Sequence, residues 1–143
     1  MPDDHSWVVA RTAAGAYRTD ITLGRHTFTA DEPLSAGGGD TGPTPYDYLL
    51  GALGACTAMT VHMYAARKKW PLDDVTVRLR SARSYAADCE NCDAQPVGVR
   101  RVERQIELSG TLTDEQRQRL LAIADRCPVK QTLERGFQIV ADS

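Results

Sequence analysis

Residues 45–69 constrain the fold of this chain more than any other segment. Thr44 is a typical N-cap, Pro45 suits the first helical position, and Pro71 follows as a stop signal. The segment predicts one helix of roughly 24 residues, which is about 36 Å long. Residues 49–61 contain only Gly, Ala, Leu, Cys, Thr, Met and Val, so the helix has no polar face. Such a helix must be buried all round, and a chain of 143 residues hardly wraps it alone. We therefore predict a partner chain.

Composition places the protein among ordinary globular chains. The 143 residues fit a single domain spanning 1–143, with 42% hydrophobic and 25% charged residues. A net charge of −2 argues against nucleic acid or an anionic membrane as a partner. No apolar run is expected to approach the roughly 20 residues of a membrane span. The N-terminus has no basic region typical of a signal peptide, so we expect a cytoplasmic protein with reduced cysteines.

Three β-rich segments precede the long helix. "WVVAR", "AYRTDITL" and "HTFTAD" carry β-branched and aromatic residues, with Gly24 as a turn signal between the second and third. They predict a meander of two or three antiparallel strands. The Gly- and Pro-rich residues 31–44 form a loop that is either a connector or a mobile lid.

A hairpin and two helices are predicted after the long helix. Residues 74–85 and 98–110 alternate apolar and polar side chains, which is typical of two paired strands. Thr113 and Gln116 predict a capping box at the start of the next helix. That helix must break near Cys127, because Pro128 follows and opens a short third helix. The final "FQIVA" resembles a strand, so the fold class is α+β.

Cys56 and Cys127 differ in their local setting. Cys56 lies about three turns into its helix, beyond the reach of the helix dipole, and burial would raise its thiol pKa. It is therefore either a core residue or a nucleophile that needs an arginine or lysine from elsewhere. Cys127 would be the N-cap of the short helix, with Arg126 and Lys130 close in sequence. On these grounds Cys127 is the thiol predicted to ionise more easily.

Cys89 and Cys92 form a C-x-x-C motif in an acidic loop. Asp88, Glu90 and Asp93 would raise the pKa of both thiols. Three interpretations stay open: plain thiols, half of a metal site, and a redox pair. A structural zinc ion needs four ligands, and the sequence has no second C-x-x-C. We expect no cofactor, since the sequence contains neither a P-loop nor an H-E-x-x-H motif.

Two longer motifs stand out in the sequence. They are "DEP…GGGDTGPTPYDYLLGALGACTAMTVHMYAARKKWPL" and, about seventy residues later, "IADRCPV…TLERG". Both resemble motifs of the OsmC/Ohr family. The resemblance covers essentially the whole chain. It implies an OsmC-like fold in which curved antiparallel sheets wrap two long central helices of an intertwined homodimer.

The resemblance also implies a cysteine-based peroxidase with peroxiredoxin activity, acting on organic hydroperoxides in oxidative-stress defence. Cys56 falls at the position of the family's peroxidatic cysteine, and Cys127 falls at the position of the second cysteine, which forms a disulfide with the first. In the family a dithiol then reduces this disulfide. In the family an arginine and a glutamate polarise the site. Here Tyr46 occupies the glutamate position and Asp47 follows it, while Arg18 and Arg25 are the candidate arginines.

A different class of function would use a pocket at the dimer interface. A non-catalytic dimer would bind a small apolar ligand in the interface pocket without turning over peroxide. Ligand binding that persists in a Cys56→Ser variant separates this alternative from the peroxidase.

Overall fold

The computed structural model describes residues 7–81 and 101–141, and these form two compact units. The N-terminal unit holds residues 7–48, and the second unit holds 49–81 and 101–141. Antiparallel sheets and helices are present in the described chain, which confirms the α+β class. The predicted C-x-x-C loop with Cys89 and Cys92 lies outside the described residues. The assignment of 1–143 to a single domain stays a prediction.

The N-terminal sheet is the predicted meander. Its three antiparallel strands are β1 (Val9–Thr12), β2 (Thr19–Leu23) and β3 (His26–Ala30), in the order β1-β2-β3. Leu23 pairs with His26, so only two residues connect β2 to β3. Gly24 takes a φ of 56° in this turn, a conformation that glycine adopts without strain.

The loop after β3 is organised around the buried carboxylate of Asp31. One oxygen accepts the N–H groups of Glu32 (2.7 Å) and Gly39 (3.4 Å), and the other accepts the N–H (3.1 Å) and hydroxyl (2.6 Å) of Thr41. A side chain at Gly38 would collide with the Glu32 carbonyl, which explains a glycine there. These bonds favour the connector interpretation of residues 31–44 over the lid.

The Asp31 network makes stability depend on pH. Hydrogen bonds from Thr41 and Glu32 lower the pKa of Asp31 from 3.8 to about 2, against the opposing effect of burial. The ionised carboxylate therefore stabilises the fold above about pH 4, and this stabilisation is lost as the pH falls toward 2. The pKa of the neighbouring Glu32 moves upward, through burial and then through Asp31 and Asp47, so its contribution has the opposite sign.

We expect Asp31→Asn to lower the melting temperature clearly at pH 7 and less at pH 2.5. The amide would turn one N–H₂ group toward two donors, whereas at pH 2.5 the native carboxylate has lost much of its stabilising effect, because the same carboxyl is protonated in the unfolded chain. Asp40→Asn, an exposed position of the same loop, is the control and should have little effect at either pH. Equal melting temperatures for Asp31→Asn and the native protein at pH 7 would contradict the prediction.

The long helix α1 spans Pro45–Lys68, close to the predicted limits. Thr44 and Asp47 form its N-terminal cap: the Asp47 N–H donates to the Thr44 hydroxyl at 3.1 Å, and the Thr44 N–H donates to the Asp47 carboxylate at 3.0 Å. The acidic side chain at this end is also favoured by the helix dipole. Lys69, with a φ of 60°, ends the helix.

Within residues 7–81 and 101–141, only one face of α1 is covered. The buried positions recur three or four residues apart and are Leu53, Gly54, Thr57, Val61 and Ala65. On the other side Met59 and Met63 are 58% and 62% exposed.

By length and composition alone α1 is long and apolar enough to cross a membrane, so the expectation that no run approaches such a span was wrong. A buried core helix meets the same criteria, and one apolar face of this helix lacks a cover among the described residues.

The second unit packs a hairpin and two helices on the buried face of α1. Strands β4 (Leu72–Ser81) and β5 (Val102–Gly110) are antiparallel, as predicted. Helix α2 (Asp114–Ala124) begins with the predicted capping box, and α3 (Pro128–Arg135) follows. The core consists of buried side chains from α1 and α2, namely Val61, Ala65, Leu120 and Ala124.

The final strand predicted at residues 137–141 is not formed. The segment has no strand assignment, and Phe137, Ile139 and Val140 are largely exposed. A strand needs a neighbour to satisfy its backbone hydrogen bonds, and no described strand of this chain pairs with the segment.

Candidate functional site

The site is a pair of free cysteines in the second unit. Cys56 lies about three turns into α1 and is half-buried, whereas Cys127 is fully buried at the N-cap of α3. The short connection from α2 to α3 carries Cys127 to α1, where its thiol lies beside that of Cys56. The structure therefore brings together the two cysteines that the resemblance paired.

Cys56 is the thiol whose ionisation is favoured. Burial raises its pKa, but hydrogen bonds from the Cys127 thiol, the Val129 N–H and the Thr60 hydroxyl outweigh burial, and the pKa lies below its ordinary value. The Thr60 oxygen lies 4.0 Å from the Cys56 sulfur. Val129 is in the first turn of α3, so its N–H is one of the donors left free at a helix N-terminus. The three groups that lower the pKa are uncharged, and they provide part of the stabilisation that the sequence assigned to a cation.

Cys127 behaves in the opposite way. Burial and its hydrogen bond to Cys56 raise the pKa of Cys127, although the Lys130 N–H and the Thr57 hydroxyl act against this. The prediction that Cys127 ionises more easily was therefore wrong. Its N-cap position is as predicted, but it is fully buried, and the Val129 N–H at the start of α3 serves Cys56 instead.

Arg104 on β5 is a residue of this site that the sequence reasoning missed. Its guanidinium donates to the Thr57 hydroxyl at 3.3 Å and to the Asp125 carboxylate at 2.6 Å. The side chain is only 15% exposed. A signal existed, because Arg104 lies in phase with Ile106 and Leu108 on the inward face of the alternating strand.

The remaining predicted residues lie in the N-terminal unit. The Arg18 Nε donates to Asp20 at 3.2 Å, and Arg25 is exposed in the turn between β2 and β3. Asp47 caps α1 through Thr44. Their roles in activating Cys56 stay predictions. Among residues 7–81 and 101–141, no cluster of three or more His, Cys, Asp or Glu side chains is placed to hold a metal ion.

Solved structures with the same fold come from several bacteria. An OsmC-like protein from Mycoplasma pneumoniae is 19% identical with a TM-score of 0.72, covering 93% of this chain and 89% of that one. An organic hydroperoxide resistance protein OsmC from Legionella pneumophila is 18% identical with a TM-score of 0.60, covering 90% of both chains. The organic hydroperoxide resistance protein OhrB of Bacillus subtilis is 21% identical with a TM-score of 0.56, covering 89% of both. At these identities the likenesses establish the fold.

The family assignment comes from the sequence itself. No curated protein matches the chain significantly. The family model described as OsmC-like protein matches residues 37–141, which include the long helix and both cysteines of the site. The chain therefore belongs to the OsmC-like protein family.

Proposed function

We propose that the protein is a thiol-dependent peroxidase that reduces organic hydroperoxides in oxidative-stress defence. The observation that carries this proposal is the Cys56 thiol, whose pKa is lowered by hydrogen bonds from Cys127 and from the N-terminus of α3. A thiolate of lowered pKa beside a second cysteine is the arrangement that two-step thiol redox chemistry requires. Two proteins of similar fold are named organic hydroperoxide resistance proteins, which supports the same substrate class.

The first step is attack by the Cys56 thiolate on the terminal oxygen of the hydroperoxide. A sulfur–oxygen bond forms, the O–O bond breaks, and the alkoxide leaves and takes up a proton to give the alcohol. Cys56 is oxidised to a sulfenic acid, and the peroxide is reduced by two electrons. The half-buried position of Cys56 suits this role, because the residue is partly exposed while Cys127 is fully buried.

The second step uses the proton and sulfur of Cys127. Its sulfur attacks the Cys56 sulfenic acid, the S–O bond breaks, and hydroxide leaves with the thiol proton as water. The product is a Cys56–Cys127 disulfide. A dithiol reductant supplies two electrons to restore both thiols. Such a cycle runs in a reducing compartment, and on that ground we place the protein in the cytoplasm.

We also propose that the protein acts as a homodimer in which a second copy covers the free face of α1. Met59 and Met63 leave an apolar surface on this face that water does not favour. The unpaired residues 137–141, with their exposed Phe137 and Ile139, indicate a second contact of the same kind. These two features favour a partner chain over an isolated monomer.

Mass spectrometry of the protein before and after one equivalent of cumene hydroperoxide tests both proposals. The native spectrum should show twice the chain mass, and peptide mapping after oxidation should show a Cys56–Cys127 disulfide and loss of two hydrogens per chain. The Cys127→Ser variant is the control and should retain a Cys56 sulfenic acid that dimedone traps. A native protein that consumes no peroxide, or that links only Cys89 to Cys92, contradicts the peroxidase and favours the ligand-binding alternative. A single-chain mass contradicts the dimer.

A further inference from the structure

One side chain joins the two segments that carry the cysteines. Arg104 extends from β5, and its guanidinium donates to Thr57 on α1 and to Asp125 at the end of α2. Thr57 directly follows Cys56, and Asp125 precedes Cys127 by two residues. The two cysteines are 71 positions apart in the chain, so this side chain connects segments that are distant in sequence.

The contact with Thr57 connects the Arg104 guanidinium to the surroundings of Cys127 through one hydroxyl group. Thr57 is fully buried, and its hydroxyl donates to the Leu53 carbonyl at 2.8 Å while its oxygen accepts from Arg104. The same hydroxyl lies beside Cys127, and its one hydrogen, which the Leu53 carbonyl accepts here, can be donated to the Cys127 sulfur instead once that sulfur is a thiolate. In a setting that is shielded from water, a guanidinium one hydroxyl away from a sulfur stabilises negative charge on that sulfur.

From this geometry we propose that Arg104 is a positioning residue of the cysteine pair: it holds Cys127 against Cys56 and stabilises Cys127 as the leaving thiolate when the disulfide is reduced. The proposal rests on the function proposed above. It adds a residue from β5 that acts on the reductive half of the cycle.

Burial decides which sulfur the reductant attacks. Cys127 is fully buried and Cys56 is not, so the reductant thiolate attacks the Cys56 sulfur. A mixed disulfide forms at Cys56, the Cys56–Cys127 bond breaks, and the electron pair leaves on Cys127 as a thiolate. The second thiol of the reductant then releases Cys56. A leaving thiolate that is better stabilised leaves faster, so loss of the Arg104 charge should slow this reduction.

The reduction rate of a preformed disulfide tests the proposal without using peroxide. The disulfide is formed with diamide, and its loss in dithiothreitol is followed by thiol labelling and mass spectrometry. We expect Arg104→Gln to slow reduction about tenfold, the effect of losing one hydrogen bond to a charged group, and to make the reduction potential more negative. We expect Arg104→Lys to restore the rate to within about threefold, because it keeps the positive charge. Thr57→Val removes the same contact from its other side and should also slow reduction.

Arg80→Gln is the matched control. Arg80 lies on the neighbouring strand β4 and pairs with Glu103 at 2.7 Å, but its side chain is 79% exposed. This variant should have the reduction rate and potential of the native protein. The proposal is overturned if Arg104→Gln leaves both quantities unchanged, if Arg80→Gln alters them equally, or if Arg104→Lys fails to restore the rate. Failure of hydroperoxide to form the disulfide in the native protein would refute the proposed function instead, and the diamide experiment would still decide the role of Arg104.

Discussion

We expect the Cys56→Ser variant to lose hydroperoxide turnover by at least about a thousandfold, because it removes the only nucleophile that the proposed first step uses. A serine hydroxyl does not ionise near neutral pH. Hydrogen bonds from Cys127, Val129 and Thr60 lower the pKa of Cys56. The same bonds cannot make a serine at this position a comparable nucleophile. Steady-state turnover of cumene hydroperoxide with dithiothreitol as the reductant measures this loss.

Cys127→Ser separates the two steps of the proposed cycle. This variant keeps Cys56 and should consume about one equivalent of peroxide per chain in a rapid first phase, after which turnover slows. It also loses the thiol that hydrogen-bonds to Cys56, so the first phase should be slower than in the native protein. Full turnover in Cys56→Ser would exclude Cys56 as the peroxidatic residue, whatever Cys127→Ser does.

The largest effect on stability is expected from Leu120→Ala. Leu120 is fully buried on α2 and packs with Val61 and Ala65 of α1 in the core. Removing its buried methyl and methylene groups leaves a cavity that costs about 2–5 kcal/mol of the free energy of unfolding. Because small domains have only about 5–15 kcal/mol in total, this single change is expected to bring the protein close to unfolding at physiological temperature.

The adjacent Leu121 offers a matched control for that substitution. It has the same side chain on the same helix but is 43% exposed. Urea unfolding, followed by circular dichroism, should show a loss below about 1 kcal/mol for Leu121→Ala, in line with a partly exposed position. Equal losses for the two variants would mean that the core does not lie between α1 and α2 as described.

Local signals were sufficient for most of the secondary structure. Thr44 and Pro45 set the start of α1, Thr113 and Gln116 set the start of α2, and Pro128 opened α3, because capping depends on residues adjacent in sequence. The strands of the first meander followed from their β-branched and aromatic residues and from the turn at Gly24, and those of the β4–β5 pair followed from alternation of apolar and polar side chains. Residues 137–141 had an equally good strand pattern, but no described strand pairs with them. A strand forms only where a neighbouring strand accepts and donates its backbone hydrogen bonds, and local sequence does not show whether such a neighbour is present.

Only the identity of the two cysteines in the candidate site could be predicted from the sequence. The resemblance paired Cys56 with Cys127, and the structure confirms that they lie together. Their relative ease of ionisation was predicted in the wrong order, because burial and the contact with Cys56 raise the pKa of Cys127, whereas hydrogen bonds from Cys127 and from the Val129 N–H lower the pKa of Cys56. The roles of Arg18, Arg25 and Asp47 at Cys56 are still predictions.

The sequence by itself determined where the three helices begin, that the middle of α1 is apolar on every side, and which family motif holds the two cysteines. Only the tertiary structure decided which face of α1 the chain covers, which thiol is the more acidic, and that Arg104 meets both cysteine-bearing segments. The physical reason is the separation along the chain over which each kind of interaction acts. Capping and alternation act between neighbours in sequence, whereas burial, thiol ionisation and the contacts of a guanidinium depend on groups that only folding brings together.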